Sequence, residues 1–136
     1  MGANDTGLIG QAVRRREDLR FLTGAGQYTA DVTPPHHTHA YFLRSPHAHA
    51  KIRKVDTAKA KAAPGVVAVF TGTDLVGVNG LPCGWLITGT DGKPMNEPPH
   101  PVLAQGKVRH VGDPVALVVA ESPHEAKDAA ELIDVD

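Results

Sequence analysis

The clearest pattern along the chain is the run Val115–Ala120, six apolar residues without a polar interruption. A run of that length suits a strand covered on both faces, at the centre of a sheet. The tetrad Ser122-Pro123-His124-Glu125 follows at once. Serine caps a helix, proline fits its first position, and Glu125 completes a capping box. Ala126, Ala129, Ala130 and Ile133 then fall on one helical face, and their small size lets the helix lie close on a sheet. Ile133-Asp134-Val135-Asp136 alternates like the start of a further strand. We expect that element to continue in a longer chain.

Upstream the pattern predicts more strands. Val66–Phe70 is apolar and β-branched, and reads as a buried strand. Ala40–Leu43 has strand character. After Ser45-Pro46 the pattern resumes over His49–Val55, with Ala50 and Ile52 on one face and His49, Lys51 and Arg53 on the other. Together they predict one strand kinked or bulged at Pro46, which has no ladder donor. Asp56 caps a short helix over Thr57–Ala63, and Pro64-Gly65 ends it. Lys107–Val111 predicts a short strand, and Gly112-Asp113-Pro114 a turn.

Two segments lack periodicity. Residues 1–32 read as a polar N-terminal arm with one helical turn near Glu17–Phe21, closed by Pro34-Pro35. Gly77–Pro101 is rich in glycine and proline, and loops of this length are usually functional, disordered or ordered by a partner. Trp85 within it predicts packing against something. The element order predicts a mixed α/β (α+β) domain over residues 33–136, a small sheet with helices packed on it.

Composition narrows the classes. A chain of 136 residues fits one domain. Fourteen Lys and Arg nearly balance fifteen Asp and Glu, giving no electrostatic reason to expect nucleic acid or an anionic membrane. Cys83 is the single cysteine, so neither an internal disulfide nor a multi-cysteine zinc site can form. No basic start followed by an apolar stretch opens the chain, and no run is long enough to span a bilayer. These signals predict a cytoplasmic location.

The candidate chemistry is thin. Eight histidines are present. His36, His37 and His39 cluster, and His47 and His49 would share one face of a strand, but no third ligand is supplied. Gly24-Ala25-Gly26 resembles the start of a phosphate loop, without the preceding strand or following helix. Cys83 has no fixed base beside it and reads as a buried or partly buried inert thiol. Asp113 between Gly112 and Pro114 suits a turn better than catalysis. The Arg14–Arg16 cluster reads as a solvated face. The residues alone therefore assign no catalytic, cofactor-binding or metal-binding position.

Several blocks resemble a known family in its own order. Arg15-Arg16-Glu17-Asp18-Leu19-Arg20-Phe21-Leu22-Thr23-Gly24-Ala25-Gly26-Gln27-Tyr28 is similar to the opening of large subunits in the xanthine dehydrogenase, aldehyde oxidase and aerobic carbon monoxide dehydrogenase family. Arg44–Ile52, Pro64–Thr71, Val111–Ala116 and Ala129–Asp136 resemble its later blocks. The resemblance implies the α/β hammerhead domain, a non-catalytic N-terminal part of a molybdenum hydroxylase large subunit. The parent would oxidise an aldehyde, a heterocycle or carbon monoxide. It would hold molybdopterin or its cytosine dinucleotide in later domains, and work with iron–sulfur and FAD subunits or domains. A lone cysteine cannot hold those clusters here. The resemblance also implies that the arm lies on a neighbour and that the long loop is ordered by the rest of the subunit. Two other classes remain open at this point: a free-standing small-ligand or metal-binding module, and a separate small docking subunit.

Overall fold

The computed structural model describes residues 10–136. They divide into two compact units, one ending at Pro35 and one spanning His36–Asp136. No helix among the described residues is long and apolar enough to cross a membrane.

The first unit is held by local bonds. Helix α1, Asp18–Leu22, has no buried residue. The Asp18 carboxylate accepts the Arg15 amide at 3.2 Å, and the Thr23 hydroxyl donates to the Leu19 carbonyl at 2.7 Å. The first bond closes the turn leading into α1, and the second joins the Thr23 amide on the Leu19 carbonyl. The Phe21 and Tyr28 rings stack at 5.6 Å, and Gly26 lies against the Phe21 ring with no room for a β-carbon. Arg14, Arg15 and Arg16 are exposed, a solvated face as the sequence predicts.

The second unit is built on the apolar run. Strands β1 (His39–Arg44), β4 (Val66–Thr71) and β6 (Pro114–Ala120) form an antiparallel sheet in the order β1-β6-β4. The run Val115–Ala120 is thus the centre of the sheet. Two short pairs complete the strands: β2 (Ala50–Lys51) with β5 (Lys107–Val108), and β3 (Val55–Asp56) with β7 (Asp134–Val135), both antiparallel. Helix α3, Pro123–Glu131, packs on β1 and β6, and helix α2, Ala58–Lys61, on β4.

The core follows from side-chain size. Ala116 and Val118 of β6 meet Ala129, Ala130 and Ile133 at the α3 end, with Ala60 and Val69 beside them. Alanines on both surfaces bring helix and sheet together, so dispersion contacts are gained without long side chains. Ser122 Oγ accepts the Glu125 amide at 3.2 Å and donates to the Glu125 carboxylate at 2.8 Å. The carboxylate thus takes the Ser122 hydroxyl, where the expected capping box has it on the Ser122 amide. Gly65 has φ +70°, and a β-carbon there would strike the Glu125 carboxylate. Only glycine tolerates that turn cheaply.

The structure corrects two sequence expectations. The segments around Ser45-Pro46 are not one kinked strand. The Ser45 amide donates to the Asp113 carbonyl at 2.9 Å, and the Gly112 amide to the Ser45 carbonyl at 2.8 Å. Ser45 Oγ then accepts the His47 amide at 3.0 Å. Those bonds end β1 at the turn before β6 and swing the chain away, so β2 pairs in a different sheet. Strand β4 is not fully buried: Val67, in its bulge, is 60% exposed, and Phe70, on the face away from the α2/α3 core, is 40% exposed. The loop Gly77–Pro101 contains a small hairpin. The Gly89 amide donates to the Lys93 carbonyl at 2.8 Å and the Met95 amide to the Ile87 carbonyl at 2.9 Å. Its base is tied by the Leu81 amide donating to the His100 carbonyl at 2.8 Å.

Candidate functional site

A cleft of about 600 Å³ lies beside the turn that ends β1. Arg44, His47, Lys51 and Arg53 stand at its rim, over a floor that includes Val115 and Ile133. Three segments far apart in sequence meet there, so only the fold creates it. One signal was present, the alternation that puts Lys51 and Arg53 on the same side of the chain. Arg44 is committed to structure, because its guanidinium donates to the Gly112 carbonyl at 2.9 Å and lies 5.6 Å from the Phe42 ring centroid. Arg53 lies 3.8 Å from the Asp136 carboxylate, with both side chains well exposed. Positive charge over an apolar floor attracts anions weakly through water. It supplies no nucleophile with an adjacent base, which acyl or hydrolytic chemistry needs.

The candidate side chains do not converge. His47 and His49 sit in the irregular segment between β1 and β2, and not on a strand, so the shared-face geometry is absent. His36 holds a positive φ of 59°, and the His37 and His39 rings meet edge to face at 4.8 Å. Among the described residues no three His, Cys, Asp or Glu side chains are placed to share a metal ion. With a single cysteine, this chain has no thiolate set for an iron–sulfur cluster. Gly24 has φ +74° and follows α1 instead of opening a helix, which is not the geometry of a phosphate loop.

Cys83 departs from the expectation of a buried thiol: it is exposed. Its sulfur lies 3.3 Å from the Trp85 carbonyl, and its amide donates to the Glu97 carboxylate at 3.3 Å. Trp85 itself is 80% exposed, so the packing that a tryptophan predicts is not made among the described residues.

Asp113 is a structural carboxylate. It is buried, accepts the Arg109 amide at 2.8 Å, and lies 3.8 Å from His110 Nδ1. Together with the Ser45–Asp113 and Gly112–Ser45 bonds it locks the turn between β5 and β6. At the end of β4, Asp74 accepts both the Thr71 amide at 2.7 Å and the Thr71 hydroxyl at 2.8 Å. The amide bond first, then the hydroxyl, holds the Asp74 carboxyl below the ordinary carboxylate range. At Lys54–Asp56 the 2.8 Å contact draws the Asp56 carboxyl down and the Lys54 ammonium up. Both groups are exposed and serve the turn into α2, where Asp56 also accepts the Ala58 amide at 3.1 Å.

Comparison with known proteins supplies what the geometry does not. The large subunit of nicotine 6-hydroxylase from Paenarthrobacter nicotinovorans is 42% identical over 130 residues, which is 95% of this chain and 15% of that protein. The carbon monoxide dehydrogenase large chain of Afipia carboxidovorans is 41% identical over 90% of this chain and 14% of its own. The crystal structure of quinoline 2-oxidoreductase from Pseudomonas putida 86 superposes with a TM-score of 0.77 at 42% identity, over 96% of this chain and 16% of that one. This chain therefore spans about one-seventh of the length of the relatives it matches. The family profile described as aldehyde oxidase and xanthine dehydrogenase, a/b hammerhead domain, matches residues 23–136. The mixed sheet-and-helix architecture agrees with the solved relatives, and the chain belongs to the aldehyde oxidase and xanthine dehydrogenase a/b hammerhead family.

Proposed function

We propose that these residues act as a non-catalytic scaffold domain within a large subunit of a molybdenum hydroxylase. Residues 1–32 form an arm and residues 33–136 the hammerhead domain. The observation that carries this reading is the match, which covers nearly the whole of this chain and about 15% of the relatives. Catalysis needs groups held in fixed mutual geometry, and the reading assigns those groups to other domains.

The parent enzyme would oxidise an aldehyde, a nitrogen heterocycle or carbon monoxide. It would use molybdopterin, as the cytosine dinucleotide, and pass electrons to iron–sulfur and FAD subunits or domains. The setting is cytoplasmic. The chain's partners are the remaining domains of its large subunit and those redox subunits. The exposed Trp85, Leu86 and Ile87 support a loop that is ordered by the rest of the subunit. Two measurements test the reading. The polypeptide in source-cell extract, detected with an antibody against this chain, should run several-fold larger than 14.4 kDa. The purified 136-residue chain should show no oxidation of aldehyde, quinoline or carbon monoxide with an artificial electron acceptor. A source polypeptide of the chain's own size, or turnover by the isolated chain, would overturn it.

A further inference from the structure

The face of the β1-β6-β4 sheet away from the helices is apolar and open. By register, Phe42 of β1 and Phe70 of β4 flank Leu117 of β6, and Ala40 and Ala68 flank Val119 in the next row. Successive strand residues alternate between faces. Ala116 and Val118 therefore point to the side where α2 and α3 pack, and Leu117 and Val119 to the other. Among the described residues, Ala104 and Val108 pack with Val115 at one end of that other face. The Phe42 and Phe70 rings stay 38% and 40% exposed. None of the six residues in the two rows is charged or polar.

An antiparallel sheet with one face in water alternates apolar with polar residues. Strand β6 does not, and carries the composition of a strand sandwiched between two layers. A row of two phenylalanines about a leucine, beside a shelf of alanines, fits a packed interface better than solvent. We infer that this sheet face is a docking surface for the rest of the large-subunit polypeptide, an apolar and uncharged surface carried by the same chain. The length of the relatives favours that occupant, since each carries the matching segment within a chain about seven times longer. The alanine shelf lets a second layer approach closely over Val119, while Arg44 over the Phe42 ring marks the rim. The inference rests on the reading of the chain as part of a large subunit.

The test is hydroxyl-radical footprinting with mass spectrometry, on the 136-residue chain and on the intact large subunit purified from the source. Oxidation of Phe42 and Phe70 should fall at least about fivefold in the intact subunit, the change from a partly exposed ring to a buried one. Equal oxidation in the two would overturn the docking surface and leave the scaffold reading standing. A source polypeptide no longer than this chain would overturn both. Protection already present in the isolated chain that disappears on dilution would assign the face to a second copy, and overturn the proposal. The double variant Phe42→Thr/Phe70→Thr supplies an independent check. The isolated chain should keep its circular-dichroism spectrum, while the intact subunit should lose most of its soluble assembled fraction. Full assembly of that variant would also overturn the inference.

Discussion

Replacing Val118 with alanine tests how the core is built. Val118 is completely buried in the middle of β6, opposite Tyr41 on one side and Val69 on the other. The change removes two methyl groups from a site without water, at about 0.8 kcal/mol each. The space left behind does not close readily. Ala116, Ala129 and Ala130 are among its neighbours in the core, and alanine has no side-chain torsion that could swing a longer group into the gap. A cavity term of about 1 kcal/mol therefore adds to the transfer loss, for a total near 2.5 kcal/mol. Urea unfolding followed by far-ultraviolet circular dichroism should show a lower midpoint with an unchanged slope. Val67→Ala is the same chemical change at a position 60% exposed, in the bulge of β4, and should cost less than about 1 kcal/mol. A Val118→Ala loss below about 0.5 kcal/mol, or equal losses for the two variants, would refute the placement of the core between β6 and α3.

Further outcomes follow from the turns and the loop. Gly65→Ala should destabilise by about 1–2 kcal/mol through its positive φ. Combining it with Glu125→Ala should relieve the steric part alone, so a chevron or urea series on the pair separates backbone strain from contact. The Asp74 carboxyl is depressed in the folded state. Its contribution is therefore complete above the unfolded carboxyl pKa of about 3.9 and is lost as pH falls below that value through the folded one. Asp74→Asn should flatten the stability-against-pH curve in that acid window, and an unchanged acid slope would contradict the geometry at Thr71. The Cys83 thiol, exposed on its loop, should react fully with a water-soluble disulfide reagent before any denaturant is added. Labelling that waits for unfolding would place it elsewhere.

The sequence by itself determined the elements whose signals are local. The apolar run Val115–Ala120 reads as a central strand, and it is the middle strand of the β1-β6-β4 sheet. Ser122, Pro123 and Glu125 start α3 from within four residues, and the alanines of that helix specify which side packs. The family was legible for a related reason: its blocks lie in order along the chain and need no folding to be read. What tertiary structure decided was every matter of pairing. Ser45 and Pro46 look like a bulge in one strand, but bonds to Gly112 and Asp113, nearly seventy residues away, turn them into a boundary between two sheets. Phe70 and Val67 look buried by composition, yet Val67 lies in the bulge of β4 and Phe70 on the face away from the α2/α3 core. The basic cleft and the open Phe42–Leu117–Phe70 row exist only once distant segments lie side by side. Local hydrogen bonds and hydrophobic periodicity act over a few residues and can be read in order, whereas burial belongs to the neighbours that the chain brings together.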